Sequence, residues 1–148
     1  TTALDVTTEA QILDLMRALQ HDIAMSIMFI THDLGVIAQT ADEVVVMYLG
    51  RIAEQAPVDE LFYDPLHPYT RALLRSIPRI GSQSRQRLQP ISGVVPNPYS
   101  RISGCPFHPR CDSFMQGVCD ANVPGITYTD DGRAVRCFLY SDRVEPNE

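Results

Sequence analysis

The chain has 148 residues and a formal net charge of −6, with 45% hydrophobic and 20% charged residues. This composition allows a folded core and argues against wholesale disorder. All 12 basic residues are arginine, so any mechanism that needs a phosphate-binding or Schiff-base lysine is excluded within these residues. No apolar run approaches the roughly 18–20 residues of a membrane-spanning helix, and the first residues lack a signal-peptide pattern, so we expect neither feature in this sequence.

Charge and proline content divide the sequence into parts of different character. Residues 1–60 carry a net charge of −8, residues 61–110 carry +6 and residues 111–148 carry −4, and all 11 prolines lie at or after Pro57. We therefore predict three segments. These are an α/β segment at 1–56, a helical connector at 57–80, and a loop-rich extension at 81–148 that contains all four cysteines.

The first segment alternates helix and strand signals. Thr8 and Gln11 match a capping box, and a stripe at helical spacing predicts one buried helix face, formed by Ile12, Leu15, Met16 and Leu19. The apolar run at 27–30 predicts a strand buried on both faces, and Asp33 is suited to cap a helix from Leu34 to about Thr40. The run at 44–48 and Gly50 predict a strand, a turn and another strand. This alternation is typical of an α/β fold with a mainly parallel sheet, here about half of a complete one.

Prolines delimit two short helices in the connector. Pro65, Pro68 and Pro78 interrupt the chain around predicted helices at 58–62 and 69–75. His67 and Tyr69 are interpreted as packing and turn residues rather than ligands. Residues 81–104 are rich in polar residues, Pro and Gly, and are predicted to be irregular.

A basic stretch begins in this connector and comprises Arg71, Arg75, Arg79, Arg85 and Arg87. The first two are four residues apart and share a helix face. A solvated face is the default interpretation, and contact with anionic headgroups or with an acidic partner is the sharper alternative. The sequence pI of about 5.1 argues against nucleic acid as a partner.

His32 follows the predicted strand at 27–30. Ligands of open α/β sheets bind at the carboxyl ends of strands, and a neutral imidazole offers one donor and one acceptor, which suits a phosphate oxygen. From spacing alone, a surface or structural histidine is the commoner outcome. Both interpretations stay open on the residues alone.

The four cysteines are all in the last third of the chain, at Cys105, Cys111, Cys119 and Cys137. Four thiolates of this kind suit an iron–sulfur cluster or a zinc ion. The loops between them are longer than in the usual zinc signature, which favours a [4Fe–4S] cluster over zinc. Disulfides and free buried thiols are the competing interpretations, and His108 is interpreted as a neighbour of the ligands rather than as a further ligand.

Residues 2–7, 29–34, 41–47 and 50–52 together resemble the C-terminal half of an ABC-transporter ATPase. The resemblance implies a partial P-loop-NTPase core in which Ala3-Leu4-Asp5 is the D-loop and His32 is the switch histidine. His32 would then bind the ATP γ-phosphate and help align the attacking water, and Asp5 would lie at the interface of two ATPase subunits. The P-loop, the signature motif and the Walker B carboxylates of that family have no counterpart here, which implies that these residues alone do not hydrolyse ATP.

The strings at 65–74, 54–62 and 105–111 are similar to the branch that serves dipeptide, oligopeptide and nickel importers, whose C-terminal extension has been associated with iron–sulfur ligation. The resemblance implies ATP and Mg²⁺ as cofactors of the full-length protein. It also implies a second ATPase subunit, identical or different, and membrane permease subunits as partners, with a substrate-binding protein as an indirect one. The location implied is peripheral, at the cytoplasmic face of the inner membrane. The alternative is a non-catalytic metal-binding or regulatory module that uses an ATPase-like half-domain for docking.

Overall fold

The computed structural model describes residues 6–77, 91–97, 102–140 and 144–145. Helices and strands are both present, which confirms a mixed helix-and-sheet architecture. The chain divides into two compact units, Thr1–Asp42 and Glu43–Glu148. Among the described residues, no helix combines the length and the apolar character needed to cross a membrane.

The first unit contains two helices, α1 (Val6–Ile23) and α2 (Leu34–Thr40). Helix α1 ends because Ala24 adopts a positive φ of 53° and the Met25 amide donates to the Gln20 carbonyl at 3.2 Å, a Schellman-type termination. The helix prediction is confirmed. The capping-box prediction is wrong, because Thr8 lies inside the helix rather than at its start.

The buried apolar stripe and the buried strand predicted for this unit are both wrong. Leu15 is 60% exposed and only Leu13 of α1 reaches the buried class among the residues described. Residues 27–30 are irregular, and Ile30 is 91% exposed. A strand buried on both faces requires a hydrogen-bonded neighbour on each side, and no other described residue of this unit forms a strand.

Helix α2 begins where the sequence predicts it to begin. Asp33 is extended, and its carboxylate accepts hydrogen bonds from the amides of Gly35 at 2.8 Å and Val36 at 3.1 Å. Two amides that lack partners within the helix are thereby satisfied. The predicted cap and helix are confirmed.

The second unit opens with a hairpin of β1 (Glu43–Tyr48) and β2 (Arg51–Pro57). Leu49 and Gly50 connect the strands, and both have a positive φ, 46° and 78°, as a type I′ turn requires. The strand–turn–strand prediction is confirmed. The prediction of a mainly parallel sheet is wrong for the described residues, because a two-residue connection joins only antiparallel strands.

Two short strands from the C-terminal part of the chain complete this sheet. Strand β5 (Ala134–Val135) pairs with β2, and β4 (Thr127–Tyr128) pairs with β5, which gives the antiparallel order β1-β2-β5-β4. A separate ladder joins β3 (Val123–Pro124) to β6 (Val144–Glu145). The hairpin therefore belongs to the same compact unit as the cysteines. The boundaries at 56/57 and 80/81, which separate the three segments expected from the sequence, stay a prediction.

Two helices of the connector pack beside the hairpin. They are α3 (Val58–Tyr63) and α4 (Pro68–Arg75), and both confirm the predicted positions. Leu61 of α3 and Thr70 of α4 are almost completely buried. A 3₁₀ turn, His108–Arg110, lies between the first two cysteines. Of the predicted irregular region, residues 91–97 and 102–104 have no helix or strand, and the remainder lies outside the described residues.

Candidate functional site

The two residues expected to act on nucleotide belong to the first unit. His32 is exposed and lies directly before Asp33, the residue that caps α2. The Thr31 hydroxyl accepts a hydrogen bond from the Asp33 amide at 3.0 Å and so holds the backbone on both sides of His32. Asp5 lies outside the described residues, so its role stays a prediction.

The cysteines lie in tight turns of the second unit. The Cys105 amide donates to the Cys119 carbonyl at 2.7 Å, which brings the first and third cysteine together. A Cβ added at Gly104, whose φ is +72°, would lie 2.3 Å from that carbonyl oxygen, so only glycine allows this approach. The Cys111 amide donates to the His108 carbonyl, and the Tyr140 amide donates to the Cys137 carbonyl at 3.1 Å.

All four thiols are free, and none is fully exposed. Burial raises the pKa of the Cys105 thiol, and it raises the pKa of Cys111 to about 11 and that of Cys137 to about 12. Neighbouring cysteines add to each of these increases because a second thiolate nearby disfavours ionisation. The thiols of Cys105, Cys111 and Cys137 are therefore protonated at neutral pH, and they lie close enough to neighbouring cysteines to be influenced by them.

Within the described ranges, no group of three or more Cys, His, Asp or Glu side chains is placed to hold a metal ion. The expected iron–sulfur or zinc site is therefore not supported by this arrangement. His108 points one ring nitrogen at the Cys105 carbonyl at 2.9 Å and packs its ring on Phe114 at 5.6 Å, so it contributes to the turn around the first cysteine.

A buried glutamate organises the connection between α3 and α4. Glu54 of β2 has no exposed surface, and its two carboxylate oxygens accept the amides of Leu66 at 2.7 Å and His67 at 2.9 Å. A buried carboxylate is costly unless its oxygens are satisfied. These two amides supply the required hydrogen bonds, and in return they fix the path of the chain into α4.

His67 links α4 to the cysteine-containing part of the unit. Its Nδ1 accepts the Tyr69 amide at 3.0 Å and caps α4. Its ring lies 5.9 Å from the ring of Phe107, between the centroids. Burial lowers the pKa of His67 to about 4, and the Arg71 charge contributes, against an opposing hydrogen bond to the Arg136 backbone. The imidazole is thus neutral, and the interpretation of His67 as a packing and turn residue is confirmed.

Two arginines and a tyrosine complete the hold on residues 64–67. Arg71 donates to the Pro65 carbonyl at 2.9 Å and to the Tyr140 hydroxyl at 2.9 Å, and that hydroxyl donates to the Leu66 carbonyl at 2.9 Å. Arg133 is 8% exposed and donates to the Asp64 carbonyl at 2.8 Å.

The prediction that the basic stretch forms a solvated face is confirmed for one of its two described arginines. Arg75 is exposed and pairs with Asp112 at 3.4 Å, as a solvated face predicts, but Arg71 is directed inward by the contacts above. The other three members, Arg79, Arg85 and Arg87, lie outside the described residues.

Sequence reasoning missed the structural role of Glu54, Arg133 and Tyr140. The signal available for Glu54 was its position as the one carboxylate of β2, directly after Ala53. Arg133 and Tyr140 act on carbonyls 69 and 74 residues away. No local pattern marks such contacts.

These features together define a class of protein. The second unit is a compact α+β module in which a cysteine-containing region is hydrogen-bonded to a two-helix connector, and the sequence before it resembles the end of an ATPase core. Residues 53–119 match the family described as "Oligopeptide/dipeptide transporter, C-terminal region".

Two similar proteins match nearly the whole chain. The chain is 50% identical over 142 residues to the oligopeptide transport ATP-binding protein AppD of Bacillus subtilis (strain 168), covering 96% of the chain and 43% of that protein. It is 48% identical over 145 residues to the dipeptide transport ATP-binding protein DppD of the same organism, covering 98% of the chain and 43% of that protein. The chain thus spans less than half the length of these relatives. The recognition of a C-terminal portion of a peptide-importer ATP-binding protein is confirmed, and the alternative of an independent metal-binding module is not supported.

Proposed function

We propose that this chain forms the C-terminal part of the ATP-hydrolysing subunit of an ABC importer for dipeptides, oligopeptides or related substrates. The observation that carries the proposal is the 48–50% identity, over nearly the whole chain, to proteins named for ATP binding in peptide transport. ATP and Mg²⁺ are the cofactors of the complete subunit.

The proposed partners follow from the same assignment. The subunit pairs with a second ATPase subunit and drives membrane permease subunits, which receive substrate from a binding protein. It lies peripherally at the cytoplasmic face of the membrane. Asp5 is proposed to lie at the interface with the second ATPase subunit.

His32 is the proposed catalytic residue of this portion. In a complete site its imidazole donates a hydrogen bond to an oxygen of the ATP γ-phosphate and helps align the attacking water. Its exposed position next to the cap of α2 supports this role, since the cap fixes the backbone while the ring stays free to meet nucleotide. Positioning and charge stabilisation account for most of phosphoryl-transfer catalysis.

A chimera tests this assignment. The 148 residues replace the matching segment of AppD, and MgATP hydrolysis is measured for the chimera and for the chain alone. We expect steady hydrolysis by the chimera and none by the isolated chain. His32→Ala should lower the chimera's rate by about 100-fold, the usual loss for one positioned donor. His21→Ala, an exposed histidine on α1, is the matched control and should leave the rate unchanged.

Two results would overturn the assignment. One is an active chimera whose rate is the same with His32→Ala. The other is a chimera that folds, as judged by circular dichroism and nucleotide binding, but does not hydrolyse ATP.

The four cysteines are proposed as a ligand set, for a [4Fe–4S] cluster before zinc. The chemistry of the donor set supports this, because four cysteine sulfurs are the number of ligands that such a cluster or a structural zinc ion takes. Because no three described ligands converge, binding would require the turns to adjust. Iron, sulfide and zinc analysis of anaerobically purified protein tests the proposal, and a colourless protein without near-stoichiometric metal would refute it.

A further inference from the structure

Five backbone groups of the connection at 64–67 are hydrogen-bonded to side chains. The carbonyls of Asp64, Pro65 and Leu66 accept from Arg133, Arg71 and Tyr140, and two amides donate to Glu54. A surface connection usually leaves such groups to water. Here the segment is fixed from several directions at once, and we call residues 64–67 the strap.

Two of the groups that hold the strap are placed by cysteine turns. Tyr140 ends the turn that starts at Cys137, through the 3.1 Å bond from its amide to the Cys137 carbonyl. Phe107 lies in the turn that starts at Cys105, where the Cys105 carbonyl accepts the His108 amide at 3.0 Å. Phe107 is 2% exposed, and its ring packs against His67 and against Tyr69, the latter at 5.3 Å.

We propose that the strap is a thiol-responsive element, whose order depends on the state of Cys137 and Cys105. Cys105 and Cys137 are both partly buried, so a group attached to either sulfur displaces neighbouring atoms, and packed protein responds to added volume by shifting backbone. Displacement of the Cys137 turn withdraws the Tyr140 hydroxyl from the Leu66 carbonyl. Displacement of the Cys105 turn withdraws the Phe107 ring from His67.

The response is local because the remaining contacts do not pass through a cysteine turn. Glu54 belongs to β2 and Arg71 to α4, so the strap stays attached, but the bonds from the Leu66 and His67 amides to Glu54 open more often. The start of α4 is then the part of the connector whose order changes when Cys105 or Cys137 is modified. This inference goes beyond the proposed function, and it requires neither bound metal nor ATP hydrolysis.

Amide hydrogen exchange tests the inference on the full chain. The amides of Leu66 and His67 report on the strap, and those of β1 report on opening of the whole unit. Iodoacetamide is the probe: the Cys137 sulfur displaces iodide, a sulfur–carbon bond forms and a proton is released. Peptide mass spectrometry measures the modified fraction. Cys137→Met supplies added bulk genetically, with Cys137→Ala as the control without bulk, and Cys137→Val replaces the Met variant if that one fails to fold.

We expect modification of Cys137, or Cys137→Met, to accelerate exchange at Leu66 and His67 by at least about tenfold, which corresponds to about 1.4 kcal/mol. Exchange in β1 should change little. Tyr140→Phe removes the hydroxyl, so it should accelerate exchange at the strap by itself and abolish most of the additional effect of Cys137→Met. Tyr128→Phe, at a tyrosine that is 71% exposed, is the matched control.

Three results would overturn the inference. Exchange at the strap could be unchanged when Cys137 is modified or enlarged. It could rise equally in β1, which would indicate general destabilisation. Cys137→Met could also act undiminished in the Tyr140→Phe background. None of these readouts depends on the chimera, so an inactive chimera and an unresponsive strap are separate outcomes.

Discussion

Glu54 shows how a single buried charge can define a local structure. It is fully buried in β2, and its oxygens meet two backbone amides rather than a cationic side chain. Such an arrangement is specific, because a neutral amide side chain of the same size has one oxygen and presents N–H groups where the second acceptor is needed.

Glu54→Gln is therefore expected to destabilise the second unit by about 1–3 kcal/mol, the cost of leaving a buried donor without its acceptor. Chemical denaturation at neutral pH measures the change. Glu60→Gln makes the same substitution at an exposed site of α3 and should shift stability by no more than about 0.5 kcal/mol. Equal effects of the two substitutions would contradict the role assigned to Glu54.

His67 makes the stability of the same unit depend on pH. Its pKa in the folded chain is about 4, whereas the ordinary value is 6.5, so between these values the unfolded chain binds the proton that the folded chain rejects. Stability is therefore fully present above pH 6.5 and falls as the pH decreases towards 4. Between pH 7 and pH 5 the expected loss from this residue is about 2 kcal/mol.

Denaturation at pH 7 and pH 5 measures this dependence. His67→Asn keeps an acceptor suited to the N-cap of α4 but does not titrate, so its stability should change less over the same interval. A variant with the same pH dependence as the natural chain would show that other groups are responsible.

At the level of elements, the turns around the cysteines depend on close backbone contacts. Gly104 and Gly117 both have a positive φ, +72° and +78°, but they differ in what a side chain would meet. At Gly104 an added Cβ overlaps the Cys119 carbonyl, whereas at Gly117 nothing lies within 4 Å. Alanine substitutions at these two glycines therefore distinguish the effect of backbone strain from the effect of a steric clash.

Gly117→Ala should cost about 1 kcal/mol, the strain of a left-handed conformation. Gly104→Ala should lower the free energy of unfolding by at least about 3 kcal/mol. The added Cβ causes the same backbone strain and also clashes with the Cys119 carbonyl, and the two turns can relieve that clash only by moving apart. Thermal or chemical unfolding gives both values. Similar costs would mean that the approach of Cys105 to Cys119 is less close than described.

Elements defined by neighbours in sequence were predictable, and elements defined by distant residues were not. Asp33 before α2, Gly50 in the hairpin and Pro68 at the start of α4 carry their signals locally, and all three elements are present. The run at 27–30 has strand composition but requires neighbouring strands that the described part of its unit does not contain. Strand β5 has two residues, too few to show a period, and it is specified only by pairing with β2 and β4. For the candidate site, the sequence showed which four residues carry thiols. It did not show that the Tyr140 and Arg133 side chains donate hydrogen bonds to carbonyls of the strap.

At the scale of the whole molecule, the hairpin is structurally inseparable from the cysteine-containing region. Strand β2 lies between β1 and β5 in the sheet, and the Arg136 side chain and amide bond to the carbonyls of Ile52 and Ala53. If the chain is divided between the hairpin and the cysteine-containing region, both pieces lose hydrogen-bond partners.

Two truncations test this statement. Residues 43–148 expressed alone should unfold cooperatively in denaturant, because every described strand is retained. Residues 58–148 lack β1 and β2 and should not fold, since β5 and the strap lose their partners. Cooperative unfolding of the shorter piece would show that the connector and the cysteine region form a module without the hairpin.

The pairing of β2 with β5 also affects how the protein is made. Arg136 and the Ile52 carbonyl that it meets are 84 residues apart, so at roughly 5–20 residues per second a ribosome needs roughly 4–17 s to deliver the second partner after the first. During that interval β2 has one edge unpaired, which is the condition under which strands associate with other chains. The speed of translation across residues 57–135 is therefore expected to influence the yield of soluble protein, even when the amino-acid sequence of that interval is unchanged.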